Sequence, residues 1–147
     1  MRIRALIVLA SVALLGFAPA PFPKTERQHQ EPDDVAGTWQ YVRSETNGRH
    51  DEQDVVNYRM EITRESFVFV QIKTNVRTSY AMRLDPSASP PSFTWSHGNQ
   101  VMYVGSYRLQ KDQLTMIFKG GNNVAQRPTD FGGTPSWRYV LRRVRRN

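Results

Sequence analysis

The stretch Asp34-Val35-Ala36-Gly37-Thr38-Trp39-Gln40-Tyr41-Val42 decides the fold. Before it the chain is polar and proline-bearing; from it onward an alternating pattern begins. Trp39 and Tyr41 point to one face of a strand, and Gln40 and Val42 to the other. Gly37 stands two residues before the largest side chain of the stretch, which implies a backbone passing close to another group. The expectation is the first strand of an antiparallel β domain, with Trp39 as its floor.

Outward from that stretch, toward the C-terminus, the period of two continues. Asn47-Gly48 is the strongest short turn signal and ends the first strand. Residues 50–57 are polar around Val55 and Val56, and fit a short helix or a loop. Tyr58, Met60 and Ile62 then alternate with Arg59, Glu61 and Thr63. After Arg64-Glu65-Ser66, residues 67–72 form a run rich in β-formers. Val76, Thr78, Tyr80, Met82 and Leu84 make an inward row, and the proline-bearing stretch 85–91 breaks it. Phe93 and Trp95 alternate with Thr94 and Ser96, and His97-Gly98-Asn99-Gln100 turns the chain. Val101, Tyr103, Gly105, Tyr107 and Leu109 form the next inward row, followed by Leu114, Met116 and Phe118. A long loop over 119–135 leads to a last strand with Trp137, Tyr139 and Leu141 inward. About eight short strands joined by turns, each with one apolar face, predict an all-β domain. An antiparallel up-and-down β-barrel also leaves no exposed edges.

Toward the N-terminus the pattern is that of export. Met1-Arg2-Ile3-Arg4 supplies positive charge, residues 5–18 are a 14-residue apolar run, and Ala18-Pro19-Ala20 offers a small-residue cleavage site. The run is short for a membrane span, which needs about 20 apolar residues. Cleavage after Ala18 or Ala20 places Pro19 or Pro21 next to the cut. If the segment is retained, it would serve as a residual membrane anchor. The expected organisation is a signal peptide over 1–20, an extended linker over 21–34 and a β-barrel domain over 35–147, exported to the periplasm or beyond.

With 147 residues the chain is one domain, able to bury roughly two thirds of its unfolded surface. The absence of cysteine excludes disulfides, thiolate metal sites, cysteine nucleophiles and lipoprotein acylation. The net charge of +7 comes from 20 Lys and Arg against 13 Asp and Glu, and favours anionic partners.

No catalytic set emerges from the sequence. His29, His50 and His97 lack metal-ligand spacing. Asp33-Asp34 and Asp51-Glu52 are paired acids in loop contexts, with no enclosed cleft to make them an acid–base pair. Ser66, Ser79, Ser96 and Ser106 lie outside any nucleophile elbow. Gly120-Gly121-Asn122-Asn123 lacks the lysine and the helix of a phosphate loop. The expectation is therefore a non-enzyme with no cofactor and no metal. Arg142-Arg143-Val144-Arg145-Arg146 is the sharpest charge run. It is read first as structural, and otherwise as a contact for an anionic cell-envelope component; an exported protein makes nucleic acid the lesser partner. Tyr80, Trp95, Tyr103, Tyr107 and Trp137 either fill a barrel or line a ligand cavity.

Four pieces in order carry a resemblance: Gly37-Thr38-Trp39; Leu84-Asp85-Pro86 with Pro90 or Pro91; Gly105-Ser106-Tyr107-Arg108-Leu109 with Asp112 and Leu114; and Arg127-Pro128-Thr129-Asp130-Phe131. Over residues 34–145 they resemble a small, much-duplicated domain family of unknown function best represented in planctomycete bacteria, many of whose members are exported. Ser106 and Lys111 depart from its pattern, which more often has Ile and Gly there. The resemblance implies a lipocalin-like barrel and no established activity. The Gly-x-Trp start also resembles that of lipocalins, where an arginine near the end of the barrel covers the tryptophan; by that likeness the arginine here is Arg142 or Arg143. The leading expectation is a non-catalytic binding or interaction module of the cell envelope. The alternative is a lipocalin-like carrier of a small apolar ligand in the barrel interior.

Overall fold

Alternation, turn chemistry and one bulge generate the architecture of residues 34–145, the part of the chain that the computed structural model describes. The expected signal peptide, the linker up to Asp33 with His29, and Arg146 lie outside the described residues. Strand β1 (Gly37–Thr46) ends at Asn47-Gly48, where both residues have positive φ, and returns as the two-residue β2 (Arg49–His50). The stretch that fits helix or loop is a short helix, α1 (Glu52–Asn57), capped by the Asp51 carboxylate accepting from the backbone N–H of Gln53 and Asp54.

Seven further strands follow in sequence: β3 (Tyr58–Ile62), β4 (Ser66–Gln71), β5 (Arg77–Asp85), β6 (Ser92–His97), β7 (Gln100–Gln110), β8 (Gln113–Gly120) and β9 (Trp137–Arg143). Each pairs antiparallel with the next, and β1 pairs with both β3 and β9. Setting the short β2 aside, eight strands close into an up-and-down antiparallel barrel, as the alternation predicts, and no long edge remains.

The inward rows supply the core. Trp39, Met60, Phe67, Met82, Phe93, Trp95, Tyr107, Leu114, Met116, Phe118 and Leu141 are all buried within it. Burying each such large side chain stabilises by roughly 1.5–3 kcal/mol. The middle of the barrel is packed with rings: Trp95 stacks on Phe67 at 4.0 Å and meets Phe118 edge to face at 4.6 Å, centroid to centroid. Gly105 makes room for it, since a Cβ there would fall 2.5 Å from the Ile117 carbonyl oxygen and 2.6 Å from the Phe93 ring.

Three details depart from simple alternation. A bulge between Tyr41 and Arg43 leaves Val42 unpaired with β9, so Ser44 faces Tyr139 on the inside while Glu45 pairs with Arg138 on the outside. A second bulge places Val101 opposite Ser96, beyond the inward row of β7. Strand β5 begins at Arg77, leaving Val76 and Thr78 exposed where the pattern reads them as inward; there β5 pairs with β4 alone, since its pairing with β6 starts only at Ala81.

Candidate functional site

The barrel has two chemically different ends. At the first, Trp39 is fully buried, and its indole N–H donates to the Val35 carbonyl at 2.9 Å. The Arg143 guanidinium lies over the ring, 4.4 Å from its centroid, and donates to the carbonyls of Ala36 (2.7 Å) and Asp34 (2.6 Å). Of the two candidate arginines, Arg143 covers the tryptophan, while Arg142 points to solvent from the outer face. Gly37 explains itself here: at φ 145 it passes so close to Arg143 that a Cβ would stand 2.9 Å from a guanidinium nitrogen. Arg145 pairs with Asp112, which holds that carboxyl below its ordinary range. Most of the described charge run is thus engaged in closing this end.

Beside Trp39 opens a cleft of about 640 Å³. Its floor is apolar, from the buried Val35, Met82 and Tyr107 and the half-buried Leu84. Its exposed rim is mixed in charge, from Asp34, Arg64, Glu65 and Arg83. The size and the apolar floor suit a small ligand or a partner's side chain.

The outer wall carries a clasp that unites three of the four sequence pieces. The buried Ser106 hydroxyl donates to the Pro128 carbonyl at 2.7 Å and ties down the long loop. Arg127 donates to the Pro90 carbonyl, and Arg108 lies over the Phe131 ring at 4.3 Å. Arg138 reinforces the loop through the Phe131 carbonyl (3.0 Å) and that of Gly133, and it pairs with the buried Glu45, which also takes Arg43. Arg43, Arg108 and Arg138 line a shallow groove of about 310 Å³, and the single Glu45 carboxylate is shared between Arg43 and Arg138.

At the second end, α1 brings Asp54 to the mouth. Its carboxylate accepts from the buried Ser44 hydroxyl at 2.7 Å, and partial burial raises its pKa. Tyr41 and Tyr139 stand below it, edge to face at 5.0 Å, and burial raises both phenols. The Tyr41 phenol interacts with that of Tyr139, and the Trp95 indole N–H is buried with no hydrogen-bond partner among the described residues. Tyr80, Tyr103 and Trp137 belong to the inward rows yet are only half-buried, while Trp95 and Tyr107 are packed away. Of the five aromatics weighed as cavity lining, three therefore edge this mouth, Trp95 fills the centre and Tyr107 reaches the cleft at the other end.

The remaining sequence candidates stay apart. His50 bonds the Ser44 carbonyl oxygen through Nδ1, and His97 sits against the edge of Tyr80. Asp51 is a helix cap, and Asn123 in the glycine-bearing loop caps a single 3₁₀ turn (Val124–Gln126). Among the described residues no group of three or more His, Asp or Glu gathers in a form that could hold a metal. The sequence reading missed Ser44, Glu45 and Asp54, because the β1 bulge that organises them has no sequence mark beyond the broken alternation at Val42-Arg43. No protein-family model, curated protein or solved structure matches the chain.

Proposed function

We propose that the chain is an exported, non-catalytic binding module of the cell envelope that contacts its partner through the cleft beside Trp39. The observation that carries this reading is a contrast: the middle of the barrel is filled by packed rings, whereas an apolar-floored cleft of about 640 Å³ stands open. The signal-like pattern over 1–20 supports an envelope location, and the +5 charge left once Arg2 and Arg4 are removed with it (18 Lys and Arg against 13 Asp and Glu) supports an anionic partner. Arg83, exposed on the rim and without an ion pair among the described residues, offers the cleft a cation for an anionic end of the partner. Membership of the planctomycete-type family is part of the proposal. It is supported by the way Pro90, Arg108, Arg127 and Phe131 interlock, since residues that meet in one clasp would be kept together.

The test is co-sedimentation of the exported protein with isolated cell envelopes from the producing bacterium. Arg83→Glu and Leu84→Ser should each lower the bound fraction severalfold, and intact mass of the exported protein should show residues 1–20 removed. Unchanged binding by both folded variants would reject the cleft.

The carrier of a small apolar ligand in the barrel interior is the second reading. It is favoured by the buried Trp95 N–H, which has no hydrogen-bond partner among the described residues.

A further inference from the structure

We propose that the outer-wall groove between Arg43, Arg108 and Arg138 binds an acidic, carboxylate-bearing polysaccharide, at a site that shares no lining residue with the Trp39 cleft. Strand register places the residues. Arg108 on β7 stands beside Thr115 on β8, Thr115 beside Val140 on β9, and Val140 beside Arg43 on β1, so one row crosses four strands of the outer face. The next row runs Gln110, Gln113, Arg142 and Gln40, all exposed. The charge of the groove does not balance. Three guanidiniums line it, and the one carboxylate that meets any of them among the described residues, Glu45, is 4% exposed and shared by Arg43 and Arg138. Arg108 has no carboxylate partner among the described residues and lies over the Phe131 ring instead. Two acids of the adjoining loops are engaged elsewhere: Asp112 pairs with Arg145, and Asp130 turns back on its own loop to accept from the Gly132 N–H at 2.8 Å.

The wall specifies the ligand. A carboxylate is already gripped here, with one Glu45 oxygen on Arg43 and the other on Arg138. A guanidinium carries its N–H donors in a planar fork that matches a carboxylate. Arg43, with its side chain 57% exposed, and the exposed Arg108 keep donors to repeat that pairing with a ligand. Neighbouring strands lie about 4.8 Å apart, so the backbones of Arg43 and Arg108 stand roughly 14 Å apart across the row. An extended chain with recurring acidic groups spans that interval. Between and beside the cations, Thr115, Gln110 and Gln113 present hydroxyl and amide groups that suit the hydroxyls of sugars. A bilayer fits less well, because the apolar members of the groove, Phe131 and Val140, are half-buried. Single-stranded nucleic acid needs open aromatic faces to stack on, and the groove's one ring has Arg108 over it. The binding is electrostatic and reversible, and no bond is made or broken.

The test titrates sodium polygalacturonate calorimetrically into the full-length protein, with neutral dextran as the control for sugar and duplex DNA as the competing polyanion. Saturable polygalacturonate binding is expected, with no measurable binding of dextran and weaker binding of DNA at equal charge. Arg108→Gln should weaken polygalacturonate binding severalfold, and Arg43→Gln combined with Arg108→Gln by about tenfold or more, at an unchanged circular dichroism spectrum. Lys73→Gln combined with Arg83→Gln removes the same charge elsewhere, half of it from the cleft rim, and should leave the affinity within about twofold of wild type. No saturable polygalacturonate binding by the folded wild-type protein overturns the proposal, as does tighter binding of DNA at equal charge. An equal loss in the Lys73 and Arg83 control also overturns it, since the effect would then belong to net charge or to the cleft. Arg108→Gln breaks no ion pair among the described residues, so it decides the matter even if the double groove variant fails to fold.

Discussion

The guanidinium of Arg143 lies 4.4 Å from the centroid of the Trp39 indole and joins the last strand of the barrel to the chain just before its first. One side chain supplies a cation–π contact and hydrogen bonds to two backbone carbonyls, Ala36 and Asp34. Arg143→Ala should therefore destabilise the barrel by about 2–3 kcal/mol in urea unfolding. Arg143→Lys should recover little of this, because an ammonium cannot reproduce the planar fork. Arg142→Ala, on the exposed face, should stay within about 0.5 kcal/mol of wild type.

Gly105 lies under the Phe93 ring in the packed centre. A methyl group there would overlap the Ile117 carbonyl oxygen, the Phe93 ring and the Phe118 Cβ. Gly105→Ala should cost about 1–3 kcal/mol through overpacking, read as a lower urea midpoint at unchanged slope.

Lys111 holds φ 55 at the first of two residues between the paired Gln110 and Gln113. A side chain there is strained by roughly 1–2 kcal/mol, and glycine is not. Lys111→Gly should raise stability by up to about 1 kcal/mol, since part of the gain is offset by the freer unfolded chain.

Asp54 has its folded pKa raised, chiefly by burial. The sign follows directly: stability from this group is fully present below the unfolded carboxyl pKa of about 3.9 and is lost as pH rises through the higher folded value. Asp54→Asn should be at least as stable as wild type at pH 7, with the gap closing below about pH 4. A wild-type advantage that grows as pH rises would contradict the buried, uncompensated carboxylate.

Much of the fold is legible in the sequence because alternation reports which face is buried. Trp39, Tyr107, Met116 and Leu141 lie where period two puts them, and Asn47-Gly48 makes its turn. The likeness to lipocalins also carried the approach of an arginine to Trp39, and the structure selects Arg143. What alternation cannot report is an interruption of itself. The bulge at Val42 turns Ser44 inward and Glu45 outward, and with Asp54 these residues organise the second mouth and the outer clasp. The cleft was equally hidden, because Val35, Met82 and Tyr107 come from separate segments that meet only once the barrel closes.

Hydrogen–deuterium exchange of the protein, free and mixed with isolated envelopes, tests the proposed binding role of the cleft most directly. Slower exchange on binding is predicted around Asp34–Ala36, the 63–65 turn and the 82–86 segment that line it. Unchanged exchange there, with protection confined to other surfaces or absent altogether, would contradict it.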